Sequence, residues 1–313
     1  MDKPGLLVVG VLPDWDLSAL AERFTLHLMY EAPDRATFLA QHGPAIRAIA
    51  TKGELGADAA MMDACPNAKI IACYGVGVDA IDLPAARARG VAVTNTPDVL
   101  TEEVADMAFA LLLATARGIP EGDAYVRTGT WAKQGPMRLA TRVWGKRIGI
   151  VGLGRIGRAI ARRAEGFGMA IAYSGRTKKD VPYAFHPSPA AMAPHVDILV
   201  VSAAGGAATA GLVDRAAIEA LNPGAIFVNV SRGSVVDEDA LVAALKSGRI
   251  AAAGLDVFRN EPAIDPVFAT FPNVVLSPHQ ASGTLETRKD MGALMLRNLE
   301  AHFDGTPLPT PVP

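Results

Sequence analysis

Three ionisable residues stand where this chain could do chemistry. Arg232 lies in Phe227-Val228-Asn229-Val230-Ser231-Arg232-Gly233, Glu261 in Asp256-Val257-Phe258-Arg259-Asn260-Glu261-Pro262, and His279 in Leu276-Ser277-Pro278-His279. Each follows an apolar run that reads as a strand, and open parallel sheets bind ligands beyond the carboxyl ends of their strands. Singly they carry little weight, because a lone arginine is usually a surface charge and a lone histidine a satisfied polar group. As a set they meet the needs of carbonyl reduction beside a carboxylate. A guanidinium fork holds the carboxylate through two parallel bonds and polarises the neighbouring carbonyl. A histidinium gives its proton as hydride arrives. A carboxylate on the other ring nitrogen fixes the imidazole's tautomer.

A hydride source is indicated by Gly152-Leu153-Gly154-Arg155-Ile156-Gly157. The G-x-G-x-x-G pattern alone is weak, but here it follows the apolar run Arg147–Val151 and opens a helical segment, the context a dinucleotide requires. The first glycine permits the turn, the second admits the pyrophosphate, and the third lets helix and strand pack closely. About 20 residues on, an acid would normally hold a free ribose 2′-hydroxyl. This chain instead reads Ser174-Gly175-Arg176-Thr177-Lys178-Lys179, with no carboxylate before Asp180. Ser174, Arg176 and Thr177 suit a 2′-phosphate, so NADPH is expected over NADH.

The elements that must position these groups show as short apolar runs alternating with helical segments, the sign of βαβ units. Strands are expected at 6–11, 25–29, 48–51, 69–73 and 91–94, and then six more at 147–151, 170–174, 197–201, 225–229, 251–255 and 274–276. Between the two series, Thr101 reads as the N-cap of a long apolar helix with Glu102 and Glu103 in its first turn. A last helix, 285–303, has no partner in the second sheet and is expected to return to the first domain. That gives a substrate domain of 1–98 plus 284–313, a cofactor domain of 99–283, and a cleft at the hinge.

Composition excludes other classes. The chain has 313 residues, 30 basic against 32 acidic side chains, and two cysteines. Near-neutrality argues against a charge-driven nucleic-acid or membrane partner, and two cysteines make no disulfide framework. No apolar run reaches the length of a membrane span, so a cytoplasmic protein is expected. His186 and His195 lack a partner at metal-ligand spacing and read as solvated loop residues, and no metal is expected. Arg162 and Arg163 read as the wet face of the helix after the glycine loop. Trp131 either packs locally or reaches a substrate cleft.

These motifs, with Tyr74-Gly75-Val76-Gly77-Val78-Asp79 and Thr94-Asn95-Thr96-Pro97, resemble the D-2-hydroxyacid dehydrogenase family over essentially the whole chain. Thr96-Pro97-Asp98-Val99-Leu100-Thr101 and His279-Gln280-Ala281-Ser282-Gly283-Thr284 look most like its glyoxylate/hydroxypyruvate reductases, including the plant type that also reduces hydroxyphenylpyruvate. The resemblance implies two doubly wound α/β domains, flavodoxin-like for substrate and Rossmann for cofactor. It makes Arg232 the substrate-binding and polarising residue, His279 the acid/base and Glu261 its support. The amides of Val76 and Gly77 would take the substrate carboxylate. Gly152, Gly154, Arg155, Ile156, Gly157, Ser174, Arg176, Thr177, Val230 and Asp256 would bind the cofactor, Asp256 at the nicotinamide carboxamide. A homodimer is implied, with the helix near Ala105–Ala116 at its interface. Glu261 argues against a formate dehydrogenase, which carries glutamine there because formate gives up hydride without a proton to relay. Other expectations kept open are an aryl or phosphoglycerate-type 2-oxoacid as substrate, and a nucleotide-sensing protein like the corepressors that share the fold.

Overall fold

The computed structural model describes residues 3–313. The chain divides into two compact units, one of the residues up to Leu100 with Gly283–Pro313, the other Thr101–Ser282.

The first unit is built on five strands: β1 (Gly5–Val8), β2 (Thr25–Leu28), β3 (Ile46–Lys52), β4 (Ile70–Tyr74) and β5 (Ala92–Thr94). They lie in the order β2-β1-β3-β4-β5, every pair parallel. Helical crossovers cover both faces of such a sheet, so the inner strands β1 and β4 are buried at every residue. The first strand ends at Val8, where the apolar run had suggested Val11. The last helix, Leu285–Phe303, packs on β4 and on the helix Asp14–Arg23. Beyond it the chain returns along β5: Thr94 bridges Pro311 in antiparallel sense, and the Val312 amide donates to the Val93 carbonyl at 2.8 Å. The tail thereby covers a sheet edge that would otherwise expose unpaired backbone groups.

The second unit opens with the helix Thr101–Arg117. Thr101 is its first residue rather than its cap, and the helix runs on to Arg117, where Gly118 turns left-handed at φ 61°. The buried stripe Val104, Ala105, Ala108, Leu111, Leu112 and Thr115 follows helical spacing. It packs against the sheet and against the helix Arg155–Gly166. Arg163 corrects the reading of a wet face. Only 22% exposed, it reaches Asp106 at 2.6 Å and Glu102 at 2.8 Å, and Arg162 also pairs with Glu102. The acids at the head of the helix Thr101–Arg117 thus tie two helices together.

Seven strands follow: β6 (Arg147–Val151), β7 (Ala170–Ser174), β8 (Ala184–His186), β9 (Ile198–Val201), β10 (Ile226–Asn229), β11 (Ala252–Leu255) and β12 (Val274–Leu276). Their order is β12-β11-β10-β9-β6-β7-β8, all parallel, so the winding reverses between β9 and β6. β8 is the strand the sequence did not announce. It is a short edge strand with no buried residue and therefore no apolar run to reveal it. His186 belongs to it, and His195 sits in a short 3-10 turn with its ring stacked on His186 at 5.2 Å. His195 is an exposed turn residue as expected, whereas His186 is a half-buried strand residue stacked against it. Among the described residues no group of three potential ligands could hold a metal ion, and no helix is long and apolar enough to cross a membrane.

Candidate active site

Strands β10, β11 and β12 are neighbours whose last residues are in register, Asn229 opposite Leu255 and Leu255 opposite Leu276. Arg232 and His279 each lie three residues past those ends, and Glu261 six, so the sheet delivers all three to one edge.

Each is then held by its own turn. Asn229, buried at the end of β10, accepts from the Ser231 amide and hydroxyl, both at 3.0 Å, and donates to the Arg232 carbonyl at 3.1 Å. The Arg232 guanidinium donates to the Ser231 carbonyl at 2.8 Å. Glu261 uses both oxygens: Oε1 accepts from the Phe258 amide at 2.7 Å, and Oε2 lies 2.6 Å from His279 Nδ1. Burial pushes its carboxyl upward. The bonds from His279 and Phe258, with the charges of His279 and Arg232, outweigh this and hold it below the usual glutamate range. An ionised Glu261 is an acceptor only, so Nδ1 must carry its proton there, and Nε2 is left as the reacting nitrogen.

His279 has φ 53°, a left-handed backbone uncommon for a residue with a side chain. Asp256 holds it there. Wholly buried, it accepts from the Ser277 hydroxyl and Gln280 amide (2.8 Å) on one oxygen and from the Ala281 amide (2.9 Å) on the other. Its carbonyl takes the His279 amide at 2.8 Å. A contact to a carboxamide would have to share an oxygen already accepting from this turn. Sequence reasoning missed Asn229, Ser277 and the turn-holding task of Asp256. A polar residue closing an apolar strand was the available signal.

The glycine loop leaves β6 at the point where the sheet reverses. Gly152 has φ 94°, and a Cβ there would lie 2.7 Å from the Ala203 Cα; one on Gly157 would collide with the Gly152 carbonyl. Gly154 faces open space on its Cβ side and is the N-cap of the helix Arg155–Gly166, with no side chain capping its first amides. A helix N-terminus with room before it suits a pyrophosphate. At the end of β7 the Ser174 hydroxyl is buried with no partner, while Arg176 and Thr177 are exposed. The Lys179 amide donates to the buried Tyr173 hydroxyl at 2.6 Å and closes this turn. Val230 is buried beside Ser231. The donors fit a dinucleotide.

In the other unit, Val76 and Gly77 lie in the turn after β4, part-buried. The Asn95 amide donates to the Val76 carbonyl at 2.8 Å, and the Cys73 thiol to the Gly77 carbonyl at 3.3 Å. Cys65 and Cys73 are buried free thiols. Trp131 is 60% exposed, on the helix Thr130–Gln134.

A doubly wound parallel sheet with such a loop at its reversal, and an oriented histidine at neighbouring strand ends, is the frame of a dinucleotide-dependent dehydrogenase. Residues 109–281 match the family model described as D-isomer specific 2-hydroxyacid dehydrogenase, NAD binding domain. Hydroxyphenylpyruvate reductase of Plectranthus scutellarioides is 45% identical over 313 residues, 100% of each chain. Glyoxylate/hydroxypyruvate reductase A of Arabidopsis thaliana is 44% identical over the same full length. Among solved structures, the NADPH-dependent glyoxylate/hydroxypyruvate reductase of Sinorhizobium meliloti, in complex with NADP and malonate, superposes with a TM-score of 0.94. It is 44% identical over 99% of this chain and 97% of that one. The chain belongs to the D-isomer specific 2-hydroxyacid dehydrogenase family.

Proposed function

We propose that this protein reduces small 2-oxoacids, glyoxylate to glycolate and hydroxypyruvate to D-glycerate, with NADPH as reductant. The observation that carries the reading is the Glu261–His279 pair with Arg232 on adjacent strand ends. It supplies a proton donor, its orienting carboxylate and a fork for the substrate's carboxylate. The similarity to glyoxylate/hydroxypyruvate reductases, one of them NADPH-dependent, supports it.

When bound, the reduced nicotinamide supplies the hydride. Arg232 binds the carboxylate and draws electron density from the neighbouring carbonyl oxygen. His279 gives that oxygen a proton from Nε2, while Glu261 keeps Nδ1 protonated and stabilises the imidazolium before transfer. The amides of Val76 and Gly77 receive a carboxylate oxygen. Gly152, Gly154, Arg155, Ile156 and Gly157 would cradle the pyrophosphate, Val230 would contact the cofactor, and Ser174, Arg176 and Thr177 would take the 2′-phosphate.

The test is direct. Purified protein with NADPH and either acid must show loss of nicotinamide absorbance. No loss with glyoxylate or hydroxypyruvate rejects the reading. A second reading, reduction of hydroxyphenylpyruvate, is favoured by the equally similar plant reductase. Ranking kcat/KM over small and aryl 2-oxoacids decides between them. We also infer a homodimer. Ile119, Val126, Trp131, Leu139 and Trp144 are exposed apolar side chains of one chain segment, an arrangement that marks an interaction surface. A monomer by light scattering at assay concentration would exclude it.

A further inference from the structure

The carboxylate cradle assigned to Val76 and Gly77 is made of backbone, and backbone donors can be aimed only by holding their peptide planes. The N–H of Gly77 shares a plane with the carbonyl of Val76, and the N–H of Val76 shares one with the carbonyl of Gly75. A trans peptide is rigid and planar, so fixing the oxygen fixes where the hydrogen on the opposite side points. Both oxygens are held by consecutive residues of one segment. The Asn95 side-chain amide donates to the Val76 carbonyl at 2.8 Å, and the Thr96 backbone amide donates to the Gly75 carbonyl at 2.9 Å.

That segment is itself clamped from the far end of the chain. The Thr310 hydroxyl donates to the Asn95 carbonyl at 2.6 Å, and the Asn95 amide donates to the Thr310 carbonyl at 3.3 Å. Thr310 is gripped in turn by Asn298, which is wholly buried on the helix Leu285–Phe303. Asn298 Nδ2 donates to the Thr310 hydroxyl at 2.8 Å, and its Oδ1 accepts from the Thr310 amide at 3.1 Å. A threonine hydroxyl has one proton to give and lone pairs to receive with. Here it gives to Asn95 and receives from Asn298, so it is the link between a buried anchor and the loop. The backbone pairing of Pro311 and Val312 with β5 would place a tail, but it would not require a hydroxyl at 310.

We propose that Thr310 is a positioning residue for substrate, acting through Asn95 to aim the Val76 and Gly77 amides at the substrate carboxylate. The proposal rests on the reading of those amides given above. Thr310→Val keeps the shape of the side chain and removes both hydroxyl bonds. The KM for glyoxylate rises about tenfold, with kcat and the KM for NADPH within about twofold of the parent. Thr310→Ser, which restores the hydroxyl, returns the glyoxylate KM to within about twofold. Asn95→Ala cuts the next link and gives the same split, which decides the matter if Thr310→Val does not fold. Calorimetry of oxamate binding to the NADPH-loaded protein reads the cradle without turnover, and Kd must weaken about tenfold in Thr310→Val and recover in Thr310→Ser. Unchanged KM and Kd in the valine variant, an equal rise in the KM for NADPH, or a serine variant as impaired as the valine one would each overturn the proposal. A parent protein that binds oxamate but reduces no 2-oxoacid overturns the assigned activity instead, and the Kd series still decides the positioning role.

Discussion

His279 Nδ1 and Glu261 Oε2 stand 2.6 Å apart, and the other oxygen of Glu261 is held by the Phe258 amide. A carboxylate pinned at both oxygens cannot rotate away, so the ring it orients is set before substrate arrives. His279→Ala should lower kcat with glyoxylate by about 10²- to 10⁴-fold, the range of a lost general acid. Glu261→Gln keeps the shape and loses the charge. It should lower kcat less, and should weaken the activity loss on acidification through the depressed Glu261 pKa. Steady-state pH profiles of the two variants check both statements, and a profile of Glu261→Gln identical to the parent would sink the pairing.

Arg176 is exposed just past β7, next to the buried hydroxyl of Ser174. Arg176→Ala should cost NADPH binding about 1.5–3 kcal/mol, the worth of one charge-assisted contact, and leave NADH almost untouched. Cofactor titrations followed by nicotinamide fluorescence measure the two affinities. Equal losses would remove the 2′-phosphate from this turn.

Asp16 is buried on the helix Asp14–Arg23, and a Cβ on Gly292 would collide with its carboxylate. Burial raises its pKa from 3.8 to about 6, against a smaller lowering by the Tyr74 hydroxyl. Between those values the folded chain holds a proton that the unfolded chain has lost. Ionisation therefore opposes folding: the contribution is favourable below pH 3.8 and is lost as pH rises through about 6. Asp16→Asn should then raise stability at pH 7.5 by about 1–3 kcal/mol and change it little at pH 4. Urea melts at the two pH values test this, and equal effects at both would exclude the titration as the cause.

Arg163 joins the helix Arg155–Gly166 to Glu102 and Asp106 on the helix Thr101–Arg117. Its partners are more than half exposed, so each pair is screened, but its stem covers apolar surface. Arg163→Ala should lower stability by about 1–2 kcal/mol, only part of it removable by salt. Thermal melts at low and high salt separate the two parts.

Regular patterns survived the passage from sequence to structure, and local exceptions did not. β6 and β7 fall where apolar runs predicted them, because inner strands covered by helices are apolar along most of their length. The edge strand β12 was found only because its three residues are all apolar. β8 has no such requirement at the edge, so its residues carried no signal. Arg163 looked like an ordinary solvated charge because its partners lie about sixty residues earlier, on another helix.

Chemistry at strand ends was legible from residue type and spacing. Glycines at 152 and 157 are demanded by a turn and by close backbone approach, and Arg232, Glu261 and His279 were picked out by the reaction proposed for them. Only the tertiary structure decided how those groups are aimed. The in-register ends of β10, β11 and β12, the buried Asp256 beneath the His279 turn, and the Asn298–Thr310–Asn95 chain beneath Val76 are contacts between distant residues. A sequence displays residue types and local periods, whereas a hydrogen bond across two hundred residues exists only once the backbone has folded.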